Sequence, residues 1–115
     1  MKTRNKIDEA TSFSIAFRMN GNSMNNGLKW SFSDGDYLRC NEVNVQDIQI
    51  GHEYVIKAGN SYLVRQIISV EDGVITCAPL NPLYKSSQLC IDDIQQVFII
   101  KSYQRASEQQ EGGIE

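Results

Sequence analysis

The 115-residue sequence predicts a single, mainly β domain, on three observations. Apolar residues recur at every second position in several stretches, the period of a strand with one buried face. Dipeptides with tight-turn chemistry, Asp34-Gly35 and Gly59-Asn60, separate those stretches. No segment keeps a convincing long helical period. A chain of this length holds one core and buries roughly two thirds of its unfolded surface, so it can fold without a metal or a disulfide.

The elements follow in order. Phe13, Ile15, Phe17 and Met19 alternate through "FSIAFRM", which predicts a strand over 13–19. The serine-bearing stretch "MNGNSMNNG" begins where that strand ends, and Asp34-Gly35 then turns the chain into a strand over 37–43. In "EYVIKAGNSYLVRQIISV" two strands flank Gly59-Asn60, a dipeptide that favours a two-residue hairpin loop. "GVITCAPL" and "IQQVFIIKSY" supply two further β segments, punctuated by Gly73 and Pro79. Residues 1–12 and the polar stretch 104–115 are expected to be flexible tails around a domain spanning 13–103.

Composition excludes several function classes. Eleven basic and 14 acidic residues give a formal net charge of −3, with no long block of either sign. Phosphate backbones reward Lys/Arg clusters, so direct nucleic-acid binding is not expected. Cys40, Cys77 and Cys90 are widely spaced and odd in number, a poor zinc set and a poor disulfide framework; they are expected to be reduced and mostly buried. His52, the single histidine, sits in an expected turn and has no second ligand, so no metal or cofactor site is expected. The basic-then-acidic start lacks an apolar signal stretch and no run reaches transmembrane length, which points to a cytoplasmic protein.

Ser23 has two readings. Ser, Asn and Gly are common turn residues. A serine on a bend after a strand also exposes its Oγ and neighbouring amides, as a nucleophile requires once a base takes its proton. The ordered set "GNSM", "SDGDYLRC", "GHEYVIKAGNSYLVRQI" and "APLNPLY" decides between them, because it resembles the LexA-like peptidase domain of self-cleaving repressors and UmuD-type proteins, related in fold to signal peptidases. The resemblance covers roughly residues 13–103 and implies a β-ribbon and small barrel-like sheet assembly. It also implies Ser23 as nucleophile, the backbone amides of Asn22 and Ser23 as oxyanion donors, and a lysine on a later strand as base.

At the lysine position this sequence has Arg65. A buried lysine can be brought from about 10.4 to near neutrality, whereas returning a guanidinium to a neutral base near pH 7 costs on the order of 7 kcal/mol or more. Arginine is therefore a very poor general base. Lys57 does not replace it unless a bulge or a three-residue loop shifts the register: with a two-residue Gly59-Asn60 loop, residue 57 faces 62 and residue 54 faces 65, so Lys57 and Arg65 lie on opposite sheet faces.

Asp34-Gly35-Asp36 and Asn81-Pro82-Leu83-Tyr84 resemble family turns and are read as structural, the tyrosine packing. A Ser-His-Asp triad would require His52 beside Ser23, and the resemblance assigns it no such place. Self-cleaving members cut an Ala-Gly or Cys-Gly bond before the serine; no such dipeptide precedes Ser23, and Ala58-Gly59 belongs to the hairpin. The short stretch 1–12 is not expected to hold the DNA-binding helix-turn-helix that precedes this domain in repressors. The expected function is a LexA-like serine peptidase-family protein tied to phage repression or the SOS response, its Ser-Lys dyad degraded. The alternative is a catalytically inactive module that dimerises or binds an extended peptide in the cleft. The resemblance implies a homodimer through C-terminal strands, with "VFIIKSY" as the candidate.

Overall fold

The structure, a computed structural model, describes residues 13–105; the expected tail 1–12 and residues 106–115 of the expected tail 104–115 lie outside the described residues, whereas Gln104 ends the last strand and Arg105 pairs with Asp36. Seven strands form within it: β1 (Ile15–Arg18), β2 (Tyr37–Val43), β3 (Glu53–Ala58), β4 (Ser61–Glu71), β5 (Val74–Ala78), β6 (Ser87–Cys90) and β7 (Ile94–Gln104). They make one antiparallel sheet in the order β1-β2-β7-β3-β4-β5-β6. The last strand therefore enters the middle of the sheet, between β2 and β3, and ties the two halves of the chain together.

Alternation along the strands sorts the apolar side chains into two cores. One face collects Leu38 and Cys40 of β2, Val55 of β3 and Phe98 and Ile100 of β7, with Met19, Met24 and Phe32 folded over them from the long β1–β2 connection. Tyr54, Ile56, Ile67, Ile75, Cys77 and Val97 form the other. Fully burying each large apolar side chain stabilises the fold by roughly 1.5–3 kcal/mol, so the β1–β2 connection is held by Met24 and Phe32 although it lacks regular structure.

The β3–β4 hairpin has the expected register: Ala58 pairs Ser61 across Gly59-Asn60, Lys57 pairs Tyr62 and Tyr54 pairs Arg65. Only Gly59 of the two loop residues has positive φ, at 64°, as a type II′ turn requires of its first central position. The β2 strand spans the residues expected of it. Strand β1 is shorter than the alternation predicts, because its outer edge has no partner among the described residues; Phe17 packs on the first core while Phe13 and Ile15 stay exposed.

Strand β6 and two single 3₁₀ turns, Val45–Asp47 and Ile91–Asp93, carry no sequence signal strong enough to predict. All three cysteines are free; Cys40 and Cys77 are buried, whereas Cys90 is exposed on the edge strand β6. Among the described residues no helix is long and apolar enough to cross a membrane.

Candidate active site

Ser23 lies in the turn that follows β1, and two separate segments, at 32–34 and at Asn81, hold that turn. Gly21, with φ at 82°, donates its N–H to Asp34 Oδ1 at 2.6 Å, and the Asp34 N–H returns to Asn22 Oδ1 at 3.3 Å. Beyond β5, the Asn81 N–H donates to the Ser23 carbonyl at 2.9 Å and its Nδ2 to the Asn22 carbonyl at 3.0 Å. Met24, next in sequence, is wholly buried, and its carbonyl accepts from Phe32 N–H at 2.8 Å. An apolar anchor and two polar clamps thus leave the half-buried Ser23 between them at the surface. Neither the Asn22 nor the Ser23 N–H donates to a protein acceptor among the described residues.

The aspartates of the Asp-Gly-Asp turn take structural places. Asp34 clamps Gly21, while the buried Asp36 carboxylate accepts from Ser33 N–H at 2.7 Å and pairs with the Arg105 guanidinium. Both are occupied with backbone and cation, and neither lines the cleft beside Ser23. That cleft has a volume of about 420 Å³ and is lined by the serine turn, by β1 and by Tyr62–Arg65 of β4.

Its β4 wall is a strand edge with no partner strand among the described residues. Odd-numbered residues of β4 turn their backbone groups towards β3, as the bonds of Ile67 to Gly51 and His52 show. Tyr62 and Val64 consequently direct theirs the other way, where β5 pairing begins only at Gln66. Arg65 starts on the Tyr54 side of the sheet and folds back around this edge. Its Nη1 donates to the Val64 carbonyl at 2.7 Å and to Ser23 Oγ at 3.4 Å, while its Nε is buried without an acceptor. The guanidinium donates towards the serine oxygen, whereas a general base must accept its proton.

Lys57 pairs with Tyr62, as the alternation requires, and its Nζ lies 5.7 Å from that ring. On that face Val55, two residues back along β3, lines the cleft, and Lys57 does not. His52 belongs to the turn entering β3 and also lies outside the cleft lining. Tyr84 lines the cleft yet is half exposed, so it is a wall of the site more than a packed turn residue. Sequence reading brought Ser23 and Arg65 together; it missed the Asn81 clamp and the lining residue Arg18, for which the only available signals were the Asn-Pro turn and proximity to the serine.

The chain matches, over residues 1–105, the family model described as Peptidase S24-like. It belongs to the Peptidase S24-like family. No curated protein matches it. The membership agrees with the LexA- and UmuD-like resemblance of its motifs and with the curled antiparallel sheet. In this S24-like domain the serine turn and the β4 strand are both in place, and the group that meets Ser23 Oγ is a guanidinium.

Proposed function

We propose that this S24-like protein is a peptide-binding regulator, related to phage-repressor and SOS-response proteins, in which peptide cleavage has been lost. The observation that carries this reading is the Arg65 Nη1 donor at Ser23 Oγ, in the place where a Ser-Lys dyad requires a neutral amine. What remains is useful for recognition: an unpaired β4 edge, an apolar cleft wall and two free amides suit an extended peptide added as a strand. On this reading the protein works in the cytoplasm as a homodimer, takes no cofactor, and leaves DNA contact to another chain. The charge balance supports the last point, since −3 spread along the chain offers no phosphate-binding patch.

A serine-directed acylating probe tests the loss of chemistry. Wild type, Ser23→Ala, Arg65→Lys and the double variant are exposed to it across alkaline pH, and adduct mass is followed. Wild type should label no faster than Ser23→Ala, and Arg65→Lys should gain labelling that the double variant lacks. Pronounced wild-type labelling that disappears in Ser23→Ala would refute the reading, and would mean that another base activates the serine.

A further inference from the structure

The geometry points to a C-terminal carboxylate as the group recognised at Arg65, carried by an extended peptide that adds to the β4 edge and ends there. This rests on the peptide-binding reading above. Of the residues lining the cleft, Arg18 and Arg65 are charged and none is acidic, so the site is cationic within a chain of net charge −3. The Arg18 guanidinium lies 5.4 Å from the Tyr37 ring centroid; no carboxylate pairs with it or with Arg65 among the described residues. Nη1 of Arg65 is committed to Val64 and Ser23, and the buried Nε has no acceptor. A guanidinium holds a carboxylate best through two parallel donors, and Nε with Nη2 is the pair that the Nη1 bonds leave uncommitted.

The strand edge says which carboxylate. Along β4 the edge offers the backbone groups of Tyr62 and Val64, and from Gln66 onward β5 occupies it. In a parallel pair, the carbonyl of a residue accepts from the N–H of the residue following its partner. Val64's carbonyl already accepts from Arg65 Nη1, so the position after Val64's partner does not need another N–H. A parallel strand that stops at that partner leaves its terminal carboxylate beside the guanidinium and loses no ladder bond. An acidic side chain in mid-strand would stand out of the sheet plane, away from the edge that Arg65 caps.

The test is fluorescence anisotropy with fluorescein-labelled Ala-Val-Ala-Val-Ala in three forms: the free acid, the C-terminal amide, and the amide with its fourth residue replaced by Glu. The full chain should bind the acid about ten-fold or more tightly than the plain amide, and Arg65→Gln should remove most of that difference. Equal binding of acid and amide by wild type overturns the carboxylate assignment and leaves peptide binding standing. The Glu-bearing amide binding as tightly as the acid also overturns it, moving recognition to an acidic side chain. Binding of none of the three at millimolar protein removes both the assignment and the peptide-binding reading. The wild-type comparison decides by itself if Arg65→Gln does not fold.

Discussion

Asn81 is bonded to the serine turn twice, through its own N–H to the Ser23 carbonyl at 2.9 Å and through its side-chain amide to the Asn22 carbonyl at 3.0 Å. The same side chain accepts from Leu83 N–H at 3.0 Å, so one residue shapes the turn after β5 and fastens it to the turn after β1. The backbone N–H bond survives substitution by alanine; the other two do not.

Asn81→Ala should therefore cost about 1 kcal/mol of stability, since both lost bonds are solvent-exposed, and should loosen the serine turn more than the rest of the domain. Urea denaturation gives the first quantity and amide hydrogen exchange over residues 21–25 the second. Exchange unchanged relative to wild type would mean that Met24 and Asp34 hold the turn without Asn81.

Asp36 is 1% exposed and its carboxylate faces the Arg105 guanidinium and the Ser33 N–H. Removing the cation leaves a buried carboxylate with uncompensated charge, which is costlier than losing a surface pair. Arg105→Ala is expected to destabilise by about 2–3 kcal/mol, and pairing it with Asp36→Asn should recover part of that loss. A double-variant cycle in urea measures this; simple additivity of the two substitutions would show that the pair does not couple.

Burial pushes the Cys40 thiol up from 9.0 to about 12. The protonated thiol is the form the fold accepts, so its contribution is complete below the unfolded value near 9 and is lost as pH rises towards 12. Stability should decline over that alkaline window, and Cys40→Ser or Cys40→Ala should flatten the decline. At pH 8 a thiol reagent should modify one cysteine quickly in the native protein, the exposed Cys90, and all three only in denaturant. Fast modification of two or more in the native state would contradict this packing.

The proposed homodimer has a narrower surface available than the apolar run "VFIIKSY" implies. Val97, Phe98 and Ile100 are buried in the two cores, and β7 pairs with β3 as far as Ile99 and with β2 as far as Gln104. Beyond Ile99 the β3-side edge of β7 has no strand partner among the described residues, and that end is where a second copy would pair. Sedimentation equilibrium at micromolar concentration should show a dimer. A single monomeric species with no concentration dependence would remove the dimer from the proposed function.

Most of the local structure was legible from neighbouring residues. Alternation in 37–43 and the Gly59-Asn60 dipeptide were enough for β2, for the β3–β4 hairpin and for the register that sets Tyr54 opposite Arg65. The ordered motifs also point to the family, and the identity of Arg65 by itself raises the question of lost chemistry. These properties depend on steric period and turn chemistry within a few residues, which the sequence states directly. Where β7 enters the sheet was not legible: an apolar run late in the chain reads equally as an exposed edge or a central strand, and only simultaneous burial of Val97 and Phe98 on opposite faces decides it. The same holds for Asn81 gripping the serine turn and for Arg65 folding back onto the Val64 carbonyl. Those contacts join segments far apart along the chain, and a backbone group finds such a partner only after the cores have packed and brought the segments within hydrogen-bond reach.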